Sequence, residues 1–292
     1  MKPTCPHCES RMKSPDKCPK IVRSGTYYRK SDSKRIQRFH CEDCKKGFSM
    51  ATLHPCYRQH KRHKNEAVRR ALCSGVSQRR ATRILCLNRK TVVRKLRFLA
   101  EQARLTMRSD HVFSPKHSVI EFDDLETFEH TKYKPLSVTL AVAAPSRKIL
   151  GFQVSEMPAK GLLAKVSVKK YGPRKDLRSR GRKQLFEEIK NFVESNALIK
   201  SDSNPHYPVD IKKFFPQATH CAQIGRRGTV TGQSELKKVR FDPLFCLNHT
   251  CAKLRADINR LIRKTWCTTK KAERLADHLA MYARYHNQHL KA

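Results

Sequence analysis

Two pairs of cysteines near the N-terminus have the spacing of metal ligands. Cys5 and Cys8 are separated by two residues, as are Cys41 and Cys44, and 32 residues lie between the two pairs. Each pair can grip one side of a tetrahedral ion, so two pairs complete a set of four thiolate ligands. Because four protein ligands leave no open position for water or substrate, the spacing predicts a structural Zn²⁺ site in a zinc ribbon over residues 1–60.

The residues around these pairs support a ribbon. The spacer has the alternating aromatic and basic character of short strands. Gly47 is expected to provide the tight turn after the second pair, and Phe48 is expected to pack beneath it. His7, His40 and Cys18 lie close enough in sequence to compete as ligands, but each would break the paired spacing. The four cysteines are therefore the predicted ligand set.

Carboxylates form a second group of candidate ligands, in the C-terminal part of the chain. Residues 118–128 predict a strand that ends in a cluster of acidic side chains, and residues 197–202 predict a short buried strand that ends at Asp202. Such a concentration of negative charge in a basic chain favours the binding of a cation. Asp123 and Asp202 are expected to face each other at adjacent strand ends.

The whole chain carries a large positive charge. It contains 63 Lys and Arg against 25 Asp and Glu, a formal net charge of +38. This excess favours a polyanionic partner such as double-stranded DNA. Residues 1–108 hold 29 basic and 7 acidic side chains, so they are expected to form the main phosphate-binding surface. The sequence has no membrane-length apolar segment and no signal-peptide core, which predicts a cytoplasmic, nucleoid-associated protein with no membrane partner.

Residues 61–108 have the pattern of a helix-turn-helix. A first short helix is broken at Gly75, and Ser77 is a suitable N-cap for a second helix over 78–85. The segment 89–99 returns to helical period and predicts a recognition helix for a DNA major groove. A basic helical linker with a solvated face is the alternative. The predicted DNA contacts on this helix are Arg89, Lys90, Arg94, Lys95 and Arg97.

Residues 109–292 have the succession of elements of an α/β domain with a mixed sheet. Three apolar segments predict an antiparallel meander, and a helix, two more strands and a long helix follow. The Gly-rich and basic residues 169–183 are expected to form a mobile surface loop near DNA. The predicted ranges are 118–128, 137–143 and 149–154 for the meander, 186–192 for the first helix, 197–202 and 218–223 for the later strands, and about 244 onwards for the last helix.

These motifs together resemble those of bacterial insertion-sequence transposases of the IS-one superfamily. The resemblance is carried by the paired cysteines and by three segments, IEFDDLETF at 120–128, LIKSDSNPHY at 198–207 and FDPLFCLNHTCAKLRADINRLIRKTWCTTKK at 241–271. It covers nearly the whole chain. It implies a multidomain protein with a zinc ribbon (1–60), a small all-α helix-turn-helix domain (61–108) and an α/β RNase H-like catalytic domain (109–292).

The resemblance also implies the catalytic residues. Asp123 and Asp202 match the first two metal-binding aspartates, and Asn248 matches the third position, where many relatives have Glu. An Asn carbonyl can bind Mg²⁺ or Mn²⁺, but it adds no negative charge. The acidic residues that remain alternatives for the third ligand are Glu235, Asp242 and Asp257.

The implied function is that of a DNA transposase. Such an enzyme binds the terminal inverted repeats of a mobile element and catalyses metal-dependent cleavage and strand transfer into target DNA. A basic helix over 253–271, with Lys253 and Arg255, is expected to clamp the DNA ends, and a homodimer or larger assembly is expected on DNA. Two other functions stay open: a non-catalytic DNA-binding regulator, and an RNase H-like nuclease with the same metal chemistry.

Overall fold

The chain forms two compact units in the computed structural model, Met1–Glu66 and Ala67–Ala292. The structure describes residues 3–8, 20–30, 32–223, 242–262 and 267–290. Within these ranges, none of the helices combines the length and the apolar character needed to cross a membrane.

The N-terminal unit is built on a three-stranded antiparallel sheet. Its small core contains three of the paired cysteines together with Phe39 and Phe48, whose rings stack at 5.5 Å between centroids. Gly47 begins the third strand, and the left-handed residue of the preceding turn is Lys45, at φ 56°. The prediction that Gly47 provides this turn is therefore wrong. The strands, in sheet order, are β1 (Ile21–Arg29), β2 (Lys34–Cys41) and β3 (Gly47–Ser49).

Three helices follow, in the order expected for a helix-turn-helix. They are α1 (Asn65–Leu72), α2 (Gln78–Ile84) and α3 (Arg89–Val112). The predicted N-cap is confirmed, because the Ser77 hydroxyl accepts a hydrogen bond from the backbone N–H of Arg80 at 3.3 Å. Val68, Leu72, Val92 and Leu96 join the same hydrophobic core as one face of the following sheet. These helices and the sheet therefore belong to one compact unit.

A mixed five-stranded sheet forms the centre of the second unit. The order is β6-β5-β4-β7-β8, with β4, β5 and β6 antiparallel and with β7 and β8 parallel to their neighbours. This arrangement confirms the predicted meander and the mixed α/β class. The strands are β4 (His117–Phe128), β5 (Pro135–Ala143), β6 (Lys148–Glu156), β7 (Val193–Asp202) and β8 (Thr219–Gln223).

Helices cover both faces of this sheet. Ile120 and Phe122 pack with α5 and α6 on one face, and Leu125 packs with α7 and α8 on the other, because successive side chains of a strand alternate between faces. A single long strand thus contributes apolar side chains to two cores. The helices are α4 (Leu163–Tyr171), α5 (Arg178–Ile189), α6 (Tyr207–Phe214), α7 (Phe245–Asp257) and α8 (Ala272–His289).

Residues 169–183, predicted as a loop, are mostly helical. The segment contains the end of α4 and the start of α5, with a short connection between them. Gly181 explains the difference, because a Cβ atom there would lie 2.0 Å from the Ser155 hydroxyl oxygen of β6. The glycine therefore lets α5 press against the sheet, and it does not mark a flexible loop.

The predicted basic helix over 253–271 is also wrong, because α7 ends at Asp257. The backbone N–H of Gly75 donates to the carbonyl oxygen of Asp257 at 2.7 Å, and the Asn259 side chain donates back to the Gly75 carbonyl at 3.1 Å. These contacts satisfy the end of α7, and a short 3-10 helix follows at Asn259–Leu261. Residues 263–266 of the predicted helix lie outside the described residues.

A buried histidine makes the stability of this unit depend on pH. His278 of α8 is 3% exposed, and its Nε2 donates to the carbonyl oxygen of Leu72 at 2.9 Å. Burial, and then the positive charge of Arg260, lowers the pKa of His278 from about 6.5 to about 3. Because the folded pKa is the lower one, the stability contributed by the neutral ring is present above pH 6.5. It is lost by up to about 1.4 kcal/mol per pH unit as the pH falls towards 3.

We therefore expect the wild-type melting temperature to fall more steeply between pH 6.5 and pH 4.5 than that of His278→Gln. The Gln amide keeps a donor for the Leu72 carbonyl but does not titrate in this range. Calorimetry of both proteins across the interval checks this expectation. Parallel curves would show that protonation of His278 is not coupled to unfolding.

Candidate metal centres and nucleic-acid surface

The four predicted zinc ligands lie together in the N-terminal unit. The sulfur atoms of Cys5 and Cys44 are 3.7 Å apart, those of Cys8 and Cys41 are 3.6 Å apart, and all four lie within 4.8 Å of one another. A tetrahedral ion with Zn–S bonds of about 2.3 Å requires sulfur separations of roughly 3.8 Å. The sulfur atoms therefore lie close to the separations that a tetrahedral zinc ion requires.

The backbone around the second pair favours thiolate. Hydrogen bonds from the backbone N–H groups of Cys44 and Asp43 lower the pKa of the Cys41 thiol, which helps it to act as a ligand. Neither His7 nor His40 belongs to the cluster. Within the described residues, no other group of three or more His, Cys, Asp or Glu side chains lies close enough to share an ion. Cys18 lies outside these residues.

Asp123 and Asp202 are neighbours across two parallel strands. The paired positions of β4 and β7 end with Glu121 opposite Lys200, and the two aspartates come two residues later on their respective strands. Adjacent strands are about 4.8 Å apart, and residues in register point to the same face. The parallel register therefore places the two aspartates at equivalent positions just past the paired residues, and the charge of Asp202 contributes to raising the pKa of Asp123.

The position of Asp123 within its strand differs from the prediction. Asp202 is the last residue of β7, as expected, whereas Asp123 lies in the middle of β4, which stays paired with β5 as far as Phe128. The prediction that both aspartates terminate strands is thus wrong for Asp123. The long antiparallel hairpin continues beyond the point where β7 leaves the sheet, and this opens the edge of β4 beside Asp202.

The two carboxylates carry negative charge that the protein does not neutralise locally. Asp123 accepts hydrogen bonds from the Asp124 backbone N–H at 2.7 Å and from the Tyr207 hydroxyl at 3.3 Å, and Asp202 accepts one from the Asn204 backbone N–H at 3.1 Å. No Lys or Arg side chain in the described ranges forms an ion pair with either aspartate. Burial, followed by the charges of Asp202 and Asp124, raises the pKa of Asp123 to about 6. This donor set fits a divalent cation.

The adjacent acidic side chains have protein partners. Asp124 points to the opposite face from Asp123 and accepts a hydrogen bond from the Thr139 hydroxyl at 2.5 Å. Glu126 is exposed and lies 2.7 Å from the Lys160 ammonium group. Both are therefore less suited than Asp123 to bind an ion beside Asp202.

A buried ion pair holds the ring of Tyr207 in place. The sequence predicts neither this pair nor the role of Tyr207. The Arg182 guanidinium lies 4.9 Å from the centre of the Tyr207 ring and donates to Asp210 at 2.7 Å, and both charged side chains are almost fully buried. Arg182 and Asp210 thus hold the ring whose hydroxyl contacts Asp123. Tyr207 is 84 residues from Asp123 in sequence, and no local pattern indicates this contact.

Two acidic residues hold the start of α7. Glu121 is 2% exposed and accepts a hydrogen bond from the Leu247 backbone N–H at 2.9 Å. Asp242 accepts one from the Leu244 backbone N–H at 2.9 Å. Burial raises the pKa of Glu121. These contacts satisfy N–H groups in the first turn of the helix and fasten it to β4.

Asn248 is an exposed residue of this same helix. Its Nδ2 donates to Asp242 at 2.8 Å, and no contact in the described part of the chain joins it to Asp123 or Asp202. The side-chain carbonyl oxygen is the atom that can bind a metal ion. Burial raises the pKa of the Cys251 thiol, one turn later on the same helix, to about 12, and the charge of Asp123 adds to this increase.

The alternative third ligands are in different situations. Asp242 accepts a hydrogen bond from the Leu244 backbone N–H at the start of α7, as described above. Asp257 accepts hydrogen bonds from the Tyr282 hydroxyl at 2.7 Å and from Lys253 at 3.1 Å, so it is held at the far end of the helix. Glu235 lies outside the described residues.

Most of the predicted DNA-contacting side chains are exposed, with one correction. Lys95 is 2% exposed and cannot reach a phosphate group. It lies three residues after the buried Val92, so it falls on the apolar face of α3. The exposed candidates are Arg89, Lys90, Arg94 and Arg97 on α3, and Lys253 and Arg255 on α7.

Comparisons with known proteins do not assign the chain to a family. No protein-family model and no curated protein matches it. Among solved structures, it is similar to a chain in the crystal structure of a pre-cleavage Mos1 transpososome, with a TM-score of 0.21 and 10% identity, covering 74% of this chain and 75% of that chain. At this TM-score the likeness establishes neither the fold nor the function of the protein.

Proposed function

We propose that the protein is a divalent-metal-dependent DNA transposase of the insertion-sequence type. The observation that carries the proposal is the parallel register of β4 and β7, which puts Asp123 and Asp202 at equivalent positions of adjacent strands in a chain of net charge +38. Two uncompensated carboxylates within a strongly basic protein suit a metal ion that acts on a polyanionic substrate. The second unit is then an RNase H-like catalytic domain.

Three residues would hold the catalytic ions in this proposal. Asp123 and Asp202 supply anionic oxygen ligands, and Asn248 supplies its side-chain carbonyl oxygen. Mg²⁺ or Mn²⁺ bound there supplies Lewis-acid chemistry for phosphodiester cleavage and strand transfer. Glu121 holds the first turn of α7 against β4, which keeps Asn248 on the same side of the sheet as Asp123. Tyr207 orients the Asp123 carboxylate through its hydroxyl group.

The DNA-binding roles belong to other parts of the chain. The zinc ribbon and the exposed cations of α3 would bind the terminal inverted repeats, and Lys253 and Arg255 would contact phosphate groups near the metal site. Target DNA completes the reaction. Because transposition joins two element ends, a homodimer or larger oligomer on DNA is part of the proposal.

A strand-transfer assay tests this function against its alternatives. The full-length protein is incubated with Mg²⁺ or Mn²⁺, target DNA and a labelled duplex that carries the ends of the element. Joined product supports the transposase. Cut ends that are never joined identify a nuclease, and an intact protein that binds DNA without cutting it identifies a regulator.

Tyr207→Phe provides a graded test of the site. The variant keeps the ring beneath Arg182 and removes only the hydroxyl donor at 3.3 Å from Asp123. A hydrogen bond to a charged group contributes about 1.5 kcal/mol at the lower end of its range, so cleavage is expected to slow by roughly tenfold. The Mg²⁺ concentration for half-maximal rate should rise. An unchanged rate and metal dependence would show that Tyr207 does not orient Asp123.

A further inference from the structure

Two lysine–tyrosine pairs join the tip of the β4–β5 hairpin to α4. The Lys134 ammonium nitrogen lies 5.4 Å from the centre of the Tyr171 ring, and that of Lys170 lies 5.3 Å from the centre of the Tyr133 ring. The Ser167 hydroxyl also donates to the Tyr133 carbonyl oxygen at 2.7 Å. Both pairs are within the range of cation–π attraction. We call these four residues, Tyr133, Lys134, Lys170 and Tyr171, the lysine–tyrosine platform.

The platform is open to solvent. Tyr171 is 47% exposed, and Ser167 is the only buried residue of α4 within the described chain. A helix that buries one small polar side chain adds little to a hydrophobic core. Because α4 contributes little to the core, the position of the Tyr171 ring beside ammonium groups indicates a role at the surface.

Positive charge is concentrated around the platform. Residues 160–183 contain ten Lys and Arg, of which Arg182 is buried and paired with Asp210, and a single acidic residue, Asp176, which is paired with Arg178 at 2.6 Å. Lys165 and Lys169 are exposed on α4. The nearest acidic side chain of β4, Glu126, is paired with Lys160. Leu162, Val166 and Val168 are exposed beside these lysines, and the excess of positive charge is the property that favours a polyanionic partner.

The platform lies within reach of a nucleic acid bound at the carboxylate pair. Phe128, where the hairpin tip begins, lies five positions after Asp123 on β4, and this corresponds to about 17 Å at the usual rise of an extended strand. One DNA segment a few nucleotides long can span that distance. The platform is attached to this tip through Tyr133 and Lys134, so a strand that is bound at the carboxylate pair and runs along β4 would reach it.

We propose that the lysine–tyrosine platform binds unpaired nucleotides of DNA, an inference that rests on the proposed function for the location of the reacting strand. Lys134 and Lys170 contact phosphate groups, and the exposed ring of Tyr171 stacks on a base. Ammonium groups alone bind single-stranded and duplex DNA alike, whereas an aromatic ring stacks only on a base that has left the duplex. The platform thus distinguishes a frayed or cleaved end from intact duplex.

The test compares two DNA probes with the full-length protein in the absence of added Mg²⁺. One probe is a fluorescent oligothymidylate, and the other is a duplex whose two ends are closed by hexaethylene glycol linkers, so that it contains no unpaired nucleotide. Fluorescence anisotropy is measured for wild type, Tyr171→Ala, Tyr171→Phe and Lys170→Ala. Lys212→Ala, which removes an exposed lysine of α6, controls for the loss of one charge elsewhere.

Tyr171→Ala is expected to weaken oligothymidylate binding by roughly 5- to 150-fold, and to leave duplex binding and thermal stability unchanged. Tyr171→Phe should retain wild-type affinity because its ring still stacks. Lys170→Ala should reduce the salt dependence of oligothymidylate binding by about one counterion, and Lys212→Ala should not. These results would support the platform even if the protein fails to transfer strands, because binding needs no catalysis.

Three outcomes would overturn the proposal. Equal losses on both probes for Tyr171→Ala would identify a general phosphate surface without stacking. Unchanged binding to both probes would remove the platform from nucleic-acid recognition. Loss of self-association in sedimentation, with binding intact, would assign the exposed face of α4 to contact with a second copy of the chain.

Discussion

Replacing Asp202 by Asn is expected to reduce strand transfer by at least about 10³-fold while DNA binding stays near the wild-type level. The substitution keeps the size of the side chain and one acceptor oxygen, but it removes one of the two proposed anionic oxygen ligands beside the open edge of β4. Stabilisation of a reacting phosphate by a metal ion contributes several kcal/mol, and each 1.36 kcal/mol corresponds to about tenfold in rate. Asp123→Asn should have a similar effect.

The matched control is Glu194→Gln, near the opposite end of the same strand. It removes one negative charge far from the site and should leave strand transfer unchanged. Anisotropy on the element's ends measures binding for every variant, and gel analysis of labelled products measures cleavage and joining. Wild-type joining by Asp202→Asn would contradict the proposed metal site, whereas loss of both binding and joining would indicate a folding defect.

The third ligand is decided by the same assay. Asn248→Ala should abolish joining if its carbonyl oxygen binds the ion. Surviving product would move the third position to Asp242 or Glu235, because these are the acidic residues left near the start of α7 in sequence. Asp242→Asn is a useful comparison with Asn248→Ala, since the side-chain amide of Asn248 donates a hydrogen bond to the Asp242 carboxylate.

Replacing Cys41 by Ser is expected to unfold the N-terminal unit and to leave the second unit folded. The core of the N-terminal unit consists mainly of its clustered cysteines and a pair of stacked phenylalanines. Such a small core cannot offset chain entropy alone, whereas Zn²⁺ binding contributes about 10–16 kcal/mol in comparable peptides. Losing one of four ligands should therefore cost most of the stability of this unit.

Mass spectrometry under native conditions should find one zinc per wild-type chain and none in Cys41→Ser. Hydrogen exchange should become fast in β1 and β2 and stay slow in β4 and β5. His40→Ala is the matched control, because His40 precedes Cys41 on β2 but does not belong to the cluster. Zinc retained by Cys41→Ser, or lost by His40→Ala, would show that the ligand set is wrong.

The sequence by itself determined features that depend on local spacing. The paired cysteines predicted their own cluster, because two ligands three residues apart can face one ion. Ser77 predicted the start of α2, because an N-cap needs only its own hydroxyl and the next turn of backbone. The three strands of the meander followed from apolar runs and short connections. Each of these interactions joins residues close in the chain or pairs them by a simple repeat.

Only the tertiary structure decided which distant residues meet and which faces are buried. Asp123 lies within β4 rather than at its end, since the length of a strand depends on which neighbour continues to pair with it. Lys95 is buried although it is charged, because packing chooses the inward side of α3. Tyr207 contacts Asp123, and Gly75 contacts the last residue of α7. Each of these contacts joins segments that are far apart in sequence. Such contacts depend on the global arrangement of elements, which no local pattern encodes.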